Sequence, residues 1–322
     1  MRDWHCITDS KSMRLFQFYF SFGLLFTIRL TALGQEKCVL FLDKDTRQPV
    51  AYTAVQSIKK GVSGFANDKG RFCYPDQSLG DSIWVSALGY KKSLLSHLEL
   101  EQNNEILLVN EPFALLVVTI KPSINEVISL GWFNKKFRLG FYSYVPNSNF
   151  CVMAFIANEL HRLTVIQQLQ FRFTKWNSGI AKSFRLRIRI MSPAPNGRKF
   201  PYQDLLRQNV TVDVKPKQEF LEHDVSQYAI PFDLEGVWIG FETVGYIDLN
   251  DQFIPILDGE FGKTTKKVRK MKDADYHLSP HIEMAKTDHG IKTAEYIPQI
   301  RRWTGLMKER VPMFGIRVFS DN

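Results

Sequence analysis

Phe184-Arg185-Leu186-Arg187-Ile188-Arg189-Ile190 alternates apolar and charged residues without a break. A period of two places successive side chains on opposite faces of a strand, so this stretch reads as a strand with one buried face and one wet face. Leu169-Gln170-Phe171-Arg172-Phe173-Thr174-Lys175 repeats the pattern. The runs at 210–214, 237–243 and 314–319 extend the set. Strands of this kind, spread over residues 125–322, predict an antiparallel sandwich of jelly-roll-like architecture. Residues 245–305 have mixed polarity and are expected to form a long insertion that caps one end.

Upstream, shorter strands follow one another. Val39-Leu40-Phe41-Leu42 is followed by Asp43 to Pro49, which supplies turn chemistry through Asp and Pro. Runs at 50–58, 71–74, 83–87, 105–109 and 115–120 read as further strands, and Asn67-Asp68-Lys69-Gly70 as a tight turn. Spacings of about ten residues between Gly, Asp, Asn and Pro clusters are the pattern of a small β-sandwich over 35–120. The chain is therefore expected to be all-β, with a small sandwich followed by a larger one.

The order Asp43-x-x-Thr46-x-x-Pro49-Val50, Ser57-Ile58, Asn67-Asp68-Lys69-Gly70-x-Phe72, Asp81-Ser82-Ile83 and Ser86-x-x-Gly89-Tyr90-Lys91 resembles the carboxypeptidase-regulatory-like domain. That resemblance implies a prealbumin-like, seven-stranded sandwich of the type common in exported proteins of the Bacteroidetes. The sequence departs from it at Val39 and at Ser63-Gly64. Leu115-Leu116-Val117-Val118 resembles the exit strand that follows the domain in that group. Downstream, 184–190, 204–206, 224–231 and 236–241 resemble an uncharacterised β-sandwich domain that often follows it, and more loosely carbohydrate-binding jelly rolls. In metallocarboxypeptidases the regulatory-like domain is an accessory to a zinc catalytic domain, which needs a His-x-x-Glu pair. No His of this chain has Glu at the third position after it.

The first 34 residues have the form of a secretory leader. Leu15 to Ile28 is an almost unbroken apolar run after Arg14, and Ala32 and Gly34 supply small residues before a cut at Gln35. A membrane helix needs about 20 apolar residues, more than this run supplies before Arg29 closes it. Met13 is the alternative start. An exported protein of the periplasm or cell surface is expected, with no stable transmembrane segment after cleavage. The remaining chain keeps Cys38, Cys73 and Cys151, an odd number. Cys38 and Cys73 fall on strands of one domain, which leaves a single bridge and free, partly buried thiols as the two readings, the second preferred.

The 42 Lys and Arg against 33 Asp and Glu give a net charge of +9. Two places concentrate it. Arg185, Arg187 and Arg189 share a strand face, joined by Arg172 and Lys175 if the two strands pair; Lys263, Lys266, Lys267, Arg269, Lys270 and Lys272 form a Lys-rich stretch. A basic surface for an anionic glycan or lipid headgroup is one reading, and a solvated sheet face and loop is the plainer, preferred one. An exported chain without a recognised motif is not expected to bind nucleic acid. Trp176, in Thr174-Lys175-Trp176-Asn177-Ser178-Gly179, is the candidate sugar-stacking platform, whereas Trp84 and Trp238 lie in apolar strands and are expected in the core. His277 and His281 are weak metal candidates, because Ser279-Pro280 breaks the helix an HExxH-type pair would need. No catalytic constellation, resident metal or cofactor is expected.

The functional expectation is a non-catalytic envelope protein, a scaffold plus a binding module for a glycan or envelope protein. Two alternatives stand beside it. One is an accessory to a TonB-dependent uptake system acting in trans, since no set of barrel strands is apparent. The other is a hydrolase with scattered catalytic groups.

Overall fold

The computed structural model describes residues 36–58, 63–75, 82–111, 126–135, 138–142, 150–174, 181–195, 200–256, 280–287, 292–297, 302–305 and 309–320. The leader, the 115–120 strand, Trp176, the Lys-rich stretch and His277 lie outside them. The described residues are mostly strands, and the only α-helix among them is His97–Gln102. Ser96 caps that helix by accepting from the Glu99 N–H, while the Glu99 carboxylate accepts from the Ser96 N–H. No helix among these residues is long and apolar enough to cross a membrane.

The N-terminal half forms a sandwich of a three-stranded and a four-stranded sheet. Glu36–Asp43 is the centre of the first, antiparallel to Arg71–Pro75 and parallel to Glu105–Leu108. The second runs Gly64–Phe65, Ala54–Ser57, Ser82–Ser86, Ser93–Ser96. Val39, Phe41, Phe72, Tyr74 and Ile106 pack onto Val55, Ile83 and Val85 between the sheets. Cys38 stands directly opposite Cys73 in the antiparallel pair, with Cα atoms 4.0 Å apart, and the two form a disulfide. This corrects the preference for free thiols: cross-strand register puts the sulfurs in reach. Cys151 is free and buried, and burial pushes its thiol well above the ordinary value.

The C-terminal half packs two eight-stranded sheets face to face, the first a run of six strands with two more paired alongside it and the second a run of five with three alongside. One runs Pro201–Asp204, Ala181–Pro193, Val237–Asp248, Cys151–Ile156, Thr293–Ile297, Arg302–Gly305. The other runs Arg310–Pro312, His281–Lys286, Thr164–Thr174, Phe314–Ser320, Glu126–Gly131. The inward residues of the alternating stretches, Phe184, Leu186, Ile188 and Ile190 against Leu169, Phe171 and Phe173, fill the core. Phe171 meets Phe241 and Phe314 edge-on, with centroids 5.9 and 4.8 Å apart.

Three expectations are corrected here. The described residues of 245–305 are built into the two sheets and do not form a separate cap: they contribute Phe253–Pro255, His281–Lys286, Thr293–Ile297 and Arg302–Gly305. The strand expected over 50–58 begins only at Ala54, because Tyr52 takes a left-handed conformation, φ 54°. Trp84 is half-exposed on the outer face of its strand, with the Lys92 ammonium 4.7 Å from the ring centre; Trp238 is buried.

Candidate functional site

The arginine face of Ala181–Pro193 is not turned to water. It carries the N-terminal sandwich. Tyr52, Ala54 and Phe65 join the hydrophobic cluster of the C-terminal half, while the core between the two N-terminal sheets stays a separate cluster. Arg187, 3% exposed, donates to the Tyr52 carbonyl at 2.9 Å and lies 5.0 Å from the Phe65 ring centre. Arg185 donates to the Tyr52 hydroxyl at 3.0 Å and binds both oxygens of Asp213 at 2.8 and 2.9 Å. Asn209 adds a bond to the Ala51 carbonyl at 2.8 Å. A left-handed tyrosine is strained by about 1–2 kcal/mol. Tyr52 holds that shape because its carbonyl, hydroxyl and ring all find partners across the junction, the ring edge-on to Phe253 at 5.8 Å.

Behind these contacts lies a buried cluster of alternating charge. Glu242, on the neighbouring strand Val237–Asp248 and 3% exposed, accepts from both Arg187 and Arg189. Arg189 also binds both oxygens of Asp204, at 2.7 and 2.5 Å. Burial alone would raise the Glu242 carboxyl, but the two guanidiniums outweigh it and hold the group below the ordinary carboxylate value. Burial likewise opposes the charge on Arg189, and Asp204 with Glu242 reverses this, pushing it well above the ordinary value. Two guanidiniums and two carboxylates make the cluster neutral overall.

Arg172 does not join this face. Its strand, Thr164–Thr174, belongs to the opposite sheet and does not pair with Ala181–Pro193. There it meets Glu283 at 2.5 Å and lies over the Phe220 ring at 4.9 Å. His281 is one of the two metal candidates of the sequence. It opens a strand, is 3% exposed and stacks on Phe141 with centroids 4.5 Å apart. The described residues contain no group of three or more His, Cys, Asp or Glu placed to hold a metal ion.

At the rim of the junction the two halves leave a cleft of about 360 Å³ between the turn at 87–90 and Tyr202, Gln203, Asp204 and Leu206. Gly89 sets its depth. Its φ is +82°, and a Cβ there would lie 2.4 Å from the Arg207 carbonyl oxygen, so only glycine permits this approach of the two backbones. Tyr90 donates its hydroxyl to Asp43 at 2.9 Å. Burial and the Asp43 carboxylate push that phenol up to about 12, so it stays neutral. Tyr202 is 62% exposed.

Sequence reasoning missed Glu242 and this cleft. A signal for Glu242 was present: a lone carboxylate inside the apolar run 237–243 must be paired if the strand is central. For Tyr202 there was none, because an exposed aromatic near a turn has no periodic mark. Comparison with protein-family models, curated proteins and solved structures gives no match of this chain to any of them.

Proposed function

We propose that the protein is a non-catalytic, exported envelope protein, a rigid two-sandwich scaffold that binds a glycan or an envelope protein. The observation that carries this reading is the buried Arg187–Glu242–Arg189 cluster with its bond to the Tyr52 carbonyl. Such a cluster contributes little net stability compared with apolar packing, but it tolerates only one orientation of its groups. Two sandwiches held in one relative pose, with a concave rim between them, suit binding without moving parts. The Cys38–Cys73 bridge supports export, since disulfides persist in oxidising compartments. The leader-like 1–34 segment and the resemblance to the regulatory-like domain support the same reading.

The test is fractionation of cells producing the full chain, followed by retention of envelope extract on the purified protein. The expected result is a processed chain in the envelope or periplasmic fraction, with Cys38 and Cys73 oxidised and an envelope component retained. A cytoplasmic chain with reduced cysteines would overturn it.

A further inference from the structure

The rim cleft combines features that narrow its occupant. Its volume of about 360 Å³ sits near the lower end of ligand pockets, roughly 300–1,000 Å³, which occur preferentially where domains meet. None of the residues lining it is a Lys or Arg. Arg189, the guanidinium that binds the lining residue Asp204, is committed to Asp204 and Glu242. Among the lining residues an anionic ligand meets no positive charge, and a metal ion meets a single carboxylate, Asp204. The polar groups that remain suit hydroxyls. Each Asp204 oxygen takes one bond from Arg189 and keeps lone-pair capacity for another donor. Gln203 offers both a carbonyl and an amide, and Tyr202 presents an aromatic ring in the open.

Resting on the binding-protein reading above, we propose that this cleft is a subsite for a neutral sugar ring of a glycan. The Tyr202 ring packs against the C–H face of the ring, and Gln203 and Asp204 bond its hydroxyls. Gly89 keeps the opposite wall close enough to enclose it. The wall is charge-balanced, so the site selects uncharged over acidic saccharides.

The experiment screens the full chain on an array of neutral and anionic glycans and titrates the best neutral hit by calorimetry, with Tyr202→Ala and Gln203→Ala beside it. Tyr202 is mostly exposed, so its replacement leaves the fold intact, which the thermal transition checks. The expected result is a neutral glycan bound by the native chain and weakened about tenfold by Tyr202→Ala, with a smaller loss for Gln203→Ala. Absence of any neutral hit, preference for anionic glycans, or equal affinity in Tyr202→Ala overturns the subsite. Retention of an envelope protein together with an empty array removes the sugar and leaves the scaffold reading standing. A cytoplasmic location removes the scaffold reading and leaves a measured sugar affinity untouched.

Discussion

Glu242 holds two guanidiniums at once; Arg189 also has Asp204, but Arg187 depends on Glu242 for the cancellation of its buried charge. Glu242→Ala leaves Arg187 without its carboxylate and is expected to destabilise the chain by about 3–5 kcal/mol, measured by denaturant unfolding. The pH dependence has a definite sign. Because the folded carboxyl lies below the ordinary value of about 4.3, its contribution is fully present above that value and is lost as pH falls through the folded one. Stability should thus decline on the acid side, and Glu242→Gln should be weaker at neutral pH but flatter through that window. An unchanged acid limb in the variant would remove Glu242 from its cause. The alternation 184–190 correctly announces two unlike faces, yet a period of two cannot say whether the charged face meets water or counter-charges. That depended on the carboxylates of Asp204, Asp213 and Glu242, 15 to 55 positions away, and on Tyr52, 133 and 135 positions away.

Regular strands with one apolar face were legible because burial on one side leaves a trace in the sequence. Where both faces are covered the trace vanishes. His281–Lys286 is buried at all but its last residue, so polar and apolar positions there follow partners and not a period. Tyr52 shows the converse: a stretch with good strand composition turns because its carbonyl and hydroxyl have partners elsewhere. The bridge between Glu36–Asp43 and Arg71–Pro75 joins cysteines 35 positions apart. Cys73→Ser is expected to lower stability by about 3–4 kcal/mol, on the chain-entropy account. The loss should equal that caused by reductant in the native chain, and a variant as stable as the native protein would contradict it.

For the whole molecule the junction makes two sandwiches one cooperative unit. Calorimetry should show a single unfolding transition for the native chain and two for Arg187→Ala, which removes the bond to the Tyr52 carbonyl and unbalances Glu242. Two transitions in the native chain would mean that the packing of Tyr52, Ala54 and Phe65 into the C-terminal core does not couple the halves. The same junction also orders events in time. Synthesis runs from the N-terminus at roughly 5–20 residues per second, so Tyr52 and Phe65 wait about 10–40 s for the strand that bears Glu242. During that interval the first sandwich carries an uncovered apolar face, and a nascent chain stalled before residue 242 is an adhesive one.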